Sequence, residues 1–472
     1  NIGLLFPGME IVSVHPFRIV RDADTEIQEL EADDLLESME QTIRQRKFGS
    51  VAKVSVYDKL PTSIRDILIE NLEIKPSDIF VQRKPLGLVN LWNIYNSVER
   101  HDLKYPVYKQ HIHKAFRNAE TAEDFFEAIR QRNILVHHPY DAFNPVVDFI
   151  NISARDPNVL AIKQTLYRVG RNSPVVDALL EARERGKQVA VLLELKARFD
   201  EESNIGWARK LEEAGVHVVY GLVGLKTHSK VCMVVRQEGE KLRRYIHLAT
   251  GNYNHVTSAI YEDIGIFTCD EAIGADATDL FNFLTGFSAQ TEYRKLLVAP
   301  VNLRQKLEGL IQREIEHAKK GVKARLIFKM NSLVDPHMIQ LLYAASQAGV
   351  KVDLFVRGMC CLRPGLKGVS ENIRVVSIVG RYLEHSRVYY FQNNGKEEIY
   401  LGSADLMQRT RAHRVEVVFP VERPEALKYL AEKYHVPMPQ QRLNPEALKL
   451  EDKLFQANEL AVGFFRKNLL HP

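Results

Sequence analysis

The residues best placed to do chemistry are His228 and Lys230, in Lys226-Thr227-His228-Ser229-Lys230 at the head of the apolar run Val231-Cys232-Met233-Val234-Val235. Alternate residues of an extended strand share a face, so a strand here points the imidazole and the ammonium the same way. A histidine keeps a free ring nitrogen at neutral pH and is a competent nucleophile, and a neighbouring cation suits an anionic substrate. Attack on phosphorus would give a phosphoramidate. The pattern recurs: Glu384-His385-Ser386-Arg387 opens a second apolar run, Val388-Tyr389-Tyr390-Phe391, again with a cation two residues after a histidine. Each run is followed by a short strand ending in glycine and small polar residues, His247-Leu248-Ala249-Thr250-Gly251-Asn252 in one case and Ile399-Tyr400-Leu401-Gly402-Ser403-Ala404-Asp405 in the other. Glycine allows close backbone approach to a ligand, and the Asn252 amide and Ser403 hydroxyl can donate to phosphate oxygens.

The elements that must position these residues are doubled as well. In the first copy a strand over 160–163 leads through Arg168 to a helix over 175–185, then Gly186 and a strand over 189–195. In the second, a strand over 326–329 leads through Asp335 to a helix over 338–347, then Gly349 and a strand over 352–356. Strands and helices alternating at this length predict parallel sheets with crossover helices, one sheet per copy. Ligands gather at the carboxyl ends of strands in such sheets, where Arg168, Arg198 and Arg357 fall. Two units facing each other put His228 and His385 across one cleft. Phosphoryl transfer asks a protein mainly for positioning and positive charge, and Lys226, Lys230, Arg168, Arg198, Arg357 and Arg387 offer it.

Upstream, residues 1–115 read as a mixed α/β module. Leu35, Leu36, Met39 and Ile43 have helical spacing, 51–57 alternates like a strand, and Pro61 starts a helix through Leu72. His111 and His113 read as loop residues. Thr121 with Asp124 three residues on predicts a capped helix over 122–132. His137 and His138 are adjacent on a strand, face opposite ways and cannot jointly ligate a metal. The segment 270–319 is mostly helical by pattern, and a last amphipathic helix is expected from Pro445 to about Leu470.

The chain has 472 residues, which points to about two to four domains. A hydrophobic share of 45% with 26% charged residues belongs to a globular protein, not a disordered one. Lys and Arg number 64 against 60 Asp and Glu, a net +4, which excludes a surface built to coat polyanions and makes any anion specificity local. The four cysteines lack the spacing of a disulfide framework or a zinc site, as expected of a reducing cytosol. No apolar run approaches the roughly 18 residues of a membrane span, and the first residues lack the charged start of a signal peptide. A start at Asn1 suggests a piece of something longer.

The two His-x-basic elements and their Gly-x-x-Asn-like sequels resemble the phospholipase D superfamily, whose motif runs His-x-Lys, four residues, Asp, then Gly-Ser-x-Asn. Here Val235 and Gln392 stand at the aspartate positions and Arg387 replaces the second lysine. Longer strings resemble one branch, bacterial polyphosphate kinase of the first family. They are Leu166-Tyr167-Arg168-Val169, Ala197-Arg198-Phe199-Asp200-Glu201-Glu202, 224–230, Thr250-Gly251-Asn252, Val356-Arg357-Gly358-Met359-Cys360, Tyr382-Leu383-Glu384-His385 and Ser403-Ala404-Asp405. The similarity runs from about residue 5 to Val421, without the family's amino-terminal helical domain. Leu406 and Thr410 stand where the family has Trp and Asn.

The resemblance implies an α/β protein of two tandem phospholipase D-like domains facing a shared cleft, 116–295 and 296–472, the second with a helical tail, preceded by a partial α/β head domain, 1–115. It implies a phosphotransferase that moves the γ-phosphate of ATP reversibly onto the end of polyphosphate. His228 would be the phosphorylated nucleophile and His385 a general acid or charge stabiliser. Tyr261 and Arg357 match nucleotide positions, and Lys226, Lys230, Asn252, Arg387, Ser403 and Asp405 would line the phosphate site. Arg168 and Arg198 match positions associated with Mg2+; a guanidinium has no lone pair for a cation, so these would grip phosphate oxygens that the metal also bridges. ADP leaves readily, so His385 need not be a strong acid. Partners implied are ATP, ADP, polyphosphate and further copies of the chain, with no nucleic acid or integral membrane contact; a cytoplasmic location is expected, with peripheral membrane association left open. The alternatives are a phosphodiesterase or nuclease of the wider superfamily, and a polyanion-binding protein without turnover.

Overall fold

The strand pairings explain how one chain brings two distant histidine segments together. The computed structural model describes residues 2–22, 35–46, 48–83, 86–197, 200–222, 224–286, 292–408 and 413–422. The expected tail helix over 445–470 lies outside them. Residues 1–421 form one unit.

The head contains β1 (Phe17–Arg21), α1 (Leu35–Arg46), β2 (Val51–Tyr57), α2 (Thr62–Asn71), β3 (Ile79–Gln82) and the short α3 (Leu91–Ser97). β2 lies between β1, antiparallel, and β3, parallel. Val54 and Val56, two apart on one face of β2, form a small core with Leu68 of α2 and Ile74.

The first large half runs α4 (Ala122–Gln131), β4 (Ile134–His138), α5 (Asn144–Arg155), β5 (Val159–Leu166), α6 (Pro174–Glu184), β6 (Gln188–Leu193), α7 (Glu201–Glu213), β7 (His217–Val219), β8 (Lys226–Thr227), β9 (Val231–Glu238), β10 (Lys241–Ala249), β11 (Tyr261–Thr268) and α8 (Glu271–Leu284). The second runs β12 (Leu297–Ala299), α9 (Leu303–Lys319), β13 (Arg325–Met330), α10 (Pro336–Gln347), β14 (Lys351–Val356), β15 (Ile373–Val376), β16 (Leu383–Glu384), β17 (Arg387–Phe391), β18 (Glu398–Gly402) and β19 (Arg414–Val421). α4 begins where its spacing predicts: Thr121 Oγ1 accepts the Asp124 amide at 3.1 Å, and Asp124 accepts the Thr121 amide at 2.9 Å. Asp335 caps α10 by accepting the amides of His337 and Met338.

The expected parallel sheets are mixed. β5, β6 and β7 are parallel, as are β13, β14 and β15, each set joined in sequence by longer connections. The histidine-bearing side of each sheet is antiparallel. The reason is local: Glu238 pairs with Lys241 across a two-residue loop whose first residue, Gly239, has φ 60, and so short a loop returns the chain antiparallel. In the linker 270–319 the expected helices are α8 and α9, with β12 between them, too short to leave a periodic signature.

Each half lends a strand to the other. β8, just before His228, pairs in parallel with β19 of the second half; β16, just before His385, pairs in parallel with β11 of the first. The amide of His228 donates to the Val415 carbonyl at 2.8 Å and that of Ser386 to the Glu262 carbonyl at 2.8 Å. No helix among the described residues is long and apolar enough to cross a membrane.

Gly402 serves this arrangement. A Cβ there would lie 2.4 Å from the Val417 carbonyl oxygen and 2.7 Å from the Val418 Cα, both on the neighbouring β19. Gly402→Ala is expected to destabilise the fold by about 1–3 kcal/mol, the usual cost of overpacking. Urea unfolding of both proteins checks it; equal midpoints would contradict the packing.

Candidate active site

His228 sits just past β8 and is buried. Its Nδ1 lies 2.9 Å from Oε2 of Glu416, on β19 of the opposite half. A carboxylate offers only lone pairs, so Nδ1 carries the proton and Nε2 keeps the free pair. Burial, then the charges of Lys230, Arg414 and Arg387, hold the imidazole well below its ordinary pKa, so the ring is neutral at pH 7. Burial pushes the Glu416 carboxyl up, against the pull of Lys230 and Arg414. The Tyr167 ring meets His228 edge-on at 4.8 Å between centroids.

His385 repeats the plan. Its Nδ1 lies 2.9 Å from both oxygens of Asp263, on β11 of the opposite half. Burial alone would raise the Asp263 carboxyl, but His385 and Arg387 outweigh it and hold it below its usual range. Burial also lowers the His385 pKa, against the pull of Asp263. Arg387 donates from Nη1 to the His385 carbonyl at 2.7 Å and lies 3.2 Å from Nε2 of the same ring. The charge of His385 acts on His228 and that of Lys230 on His385, so the two rings are near enough to feel each other's surroundings.

Several of the expected residues have contacts of their own around these rings or on the strands beside them. Lys230 is buried, donates to the His228 carbonyl and lies 5.2 Å from the Tyr167 ring centre. Burial drives its ammonium well below the ordinary value. Tyr261 packs on His385 at 5.2 Å, and Arg357 donates to Asn331 Oδ1 at 2.9 Å within the field of Arg387. Arg168 is 5.6 Å from the same Tyr167 ring and 3.7 Å from Asp200. Lys226 is half-buried on β8 within the field of Glu194. The Oδ1 of buried Asn252 has no partner among the described residues. Arg198 lies outside the described residues.

Three of the expected residues have partners within the protein. Asp405 faces Arg387, at 3.2 Å, and accepts the Asn331 amide at 2.7 Å, so it orients a cation. Ser403 Oγ accepts the Val417 amide at 3.1 Å and acts as a strand tie. Gly251 makes room for a side chain: a Cβ there would lie 2.5 Å from the Asp263 carboxyl.

The sequence reading missed Asp263, Glu416, Arg414, Asn331 and Tyr167. The two carboxylates left one trace, an acidic residue inside an apolar strand, which requires a buried partner. For Arg414 and Asn331 there was none. Glu194 was missed too: its carboxylate accepts the Thr227 amide at 2.7 Å and the Lys196 amide at 3.0 Å, fixing the approach to His228. The described residues contain no cluster of His, Cys, Asp or Glu able to cage a metal ion. A guanidinium has no lone pair, so Arg168 suits a phosphate oxygen and not a bare cation.

Residues 1–94 match the polyphosphate kinase middle domain, 124–290 polyphosphate kinase C-terminal domain 1, and 296–453 polyphosphate kinase C-terminal domain 2. Polyphosphate kinase 1 of Chlorobaculum tepidum is 54% identical over 429 residues, covering 91% of this chain and 61% of the relative. Polyphosphate kinase of Prosthecochloris aestuarii is 55% identical over 426 residues, covering 89% and 58%. The crystal structure of polyphosphate kinase from Porphyromonas gingivalis superposes with a TM-score of 0.76 at 32% identity, covering 92% of this chain and 62% of that one. The chain thus spans about three fifths of the length of these relatives.

Proposed function

Because this chain belongs to the polyphosphate kinase family, we propose that its cleft transfers the terminal phosphoryl group of ATP to the end of inorganic polyphosphate, and back, through a phosphohistidine at His228. The observation that carries this reading is a neutral imidazole whose Nδ1 is held by Glu416, leaving the Nε2 pair among Lys230, Arg387 and Arg414.

In the first step Nε2 attacks the γ-phosphorus. An N–P bond forms, the bridging O–P bond breaks, and ADP leaves with the bonding pair. In the second step a terminal oxygen of polyphosphate attacks the same phosphorus and the N–P bond breaks. Lys230, Arg387 and Arg414 stabilise charge on the equatorial oxygens. His385, held by Asp263 and beside Arg387, faces the departing oxygen and stabilises or protonates it. Tyr261 and Arg357 hold the nucleotide, and Arg168 and Arg198 grip phosphate oxygens. Mg2+ enters as the MgATP complex, the substrate itself. One anhydride is exchanged for another, so the reaction runs both ways. Self-association of the chain belongs to the same proposal.

Incubating the 472-residue chain with ATP labelled on its terminal phosphate should leave label on protein that survives alkali and is lost in acid. Bound ATP with no such label overturns the phosphohistidine. The pH dependence is a second check. A lowered His228 pKa keeps the ring unprotonated to lower pH, so the acid limb of kcat/KM should fall below the ordinary histidine value of about 6.5. An acid limb above that value contradicts a buried neutral nucleophile.

A further inference from the structure

The two strand exchanges are not alike. In the first, Thr227 pairs with Val415, and the Thr165 hydroxyl ties the strand after it, accepting the Val231 amide at 2.9 Å and donating to the Ser229 carbonyl at 2.9 Å. In the second, the paired residues are Glu384 and Glu262. Between them lies Lys329 of β13, 2.7 Å from Glu262, 2.6 Å from Glu384 and 2.5 Å from the Ser386 hydroxyl. His137 of β4 meets the other Glu262 oxygen at 2.9 Å. Lys329, Glu262 and His137 are all buried.

Neighbours along a strand face opposite ways. Glu384 precedes His385 and Glu262 precedes Asp263, so the ion cluster lies on the reverse side of the same two strands that bring His385 to Asp263. The cluster joins both halves, with His137 and Glu262 from the first and Lys329, Glu384 and Ser386 from the second. Buried charges demand partners, and Glu262 and Glu384 share the Lys329 ammonium.

We propose that Lys329, with Glu262 and Glu384, is a positioning set that clamps β16 onto β11 and so sets where His385 stands relative to His228. This rests on the reading that His385 faces the transferring phosphoryl group. The clamp shares a proton. Burial first, then the adjoining Glu262, pushes the Glu384 carboxyl up to about 7. Facing it are Glu262 of β11, Lys329 of β13 and Tyr140, whose phenol burial and the two carboxylates raise to about 12; His137 of β4 meets Glu262, and Tyr382 packs on Tyr140. Asp263 and His385 lie on the other face. A carboxyl raised in the closed clamp binds a proton that the opened form releases, so the clamp is tightest below the ordinary carboxyl value of about 4.5, loosens as pH rises from there to about 7 and changes little above that.

The test is amide hydrogen exchange of the full 472-residue chain without substrate, read on segments 383–386 and 226–228. In the unmodified chain, exchange at 383–386, corrected for the intrinsic rate, should rise between pH 6 and 8 by on the order of 10-fold while 226–228 stays flat. Glu384→Gln, at a partly exposed position that keeps a hydrogen-bonding group, should abolish that rise. Lys329→Met should expose 383–386 at both pH values and lower kcat more than it raises KM for ATP. Equal protection of 383–386 in the unmodified chain and Glu384→Gln at both pH values overturns the proposal, even if Lys329→Met does not fold. Failure to label the unmodified chain from ATP sinks the kinase reading and leaves the exchange result standing.

Discussion

His228→Ala should lose all acid-labile label and lower phosphoryl transfer by about 10^4-fold or more, since neither Lys230 nor His385 can take the nucleophile's place. Lys230 is buried and donates to the His228 carbonyl, and His385 has its Nε2 beside Arg387. Neither presents a free pair to the γ-phosphorus. The change also strands Glu416 in a buried site, but Arg414, 3.6 Å away, remains to hold its charge, so the variant should fold. Loss of about 1–3 kcal/mol of stability is expected from the abandoned hydrogen bond. Binding of ATP, measured by calorimetry, should survive, because Tyr261, Arg357 and Arg387 are untouched. Labelling at the unmodified level in this variant would remove His228 from the mechanism.

Glu416→Gln should be nearly as damaging to turnover while sparing both the nucleophile and the fold. The carboxamide fits the same space, yet it can donate its NH2 to Nδ1 and drive the proton to Nε2, where it blocks attack. It also removes the negative charge that steadies the ring as phosphorus bonds to it. Where a carboxylate fixes a catalytic imidazole, the amide replacement costs up to about 10^4-fold in kcat; here roughly 10^2-fold to 10^4-fold is expected, with KM for ATP little changed. The variant should stay folded with a lowered unfolding midpoint, since Arg414 and Lys230 lose the carboxylate they face. A kcat within threefold of the unmodified chain, in a folded variant, would mean Glu416 does not set the tautomer.

Both variants touch residues of unequal legibility. His228 could be read because its signal is local: a cation two residues on, an apolar run behind and a second copy at His385. The Thr121 cap and the helical spacings of α1 and α4 were legible for the same reason, since backbone periodicity is written in neighbouring residues. Glu416 and Asp263 were not, because each reaches its histidine from 188 and 122 residues away, across the two halves. Contact at such separation leaves no spacing rule. The glycines show a subtler failure. Gly251 and Gly402 were recognised as places of close approach, but what approaches is the protein's own Asp263 and β19, and sequence cannot say which body fills the room a missing side chain leaves. The mixed sheets follow the same logic, because the direction of β9 and β10 is decided by one tight turn and not by their composition.

The mutual loan of strands constrains how this gap can breathe. Pulling the halves apart would unzip β8 from β19 and β16 from β11, and in the same motion take Glu416 from His228 and Asp263 from His385. Any separation of the halves would therefore take the partner carboxylate from both rings at once.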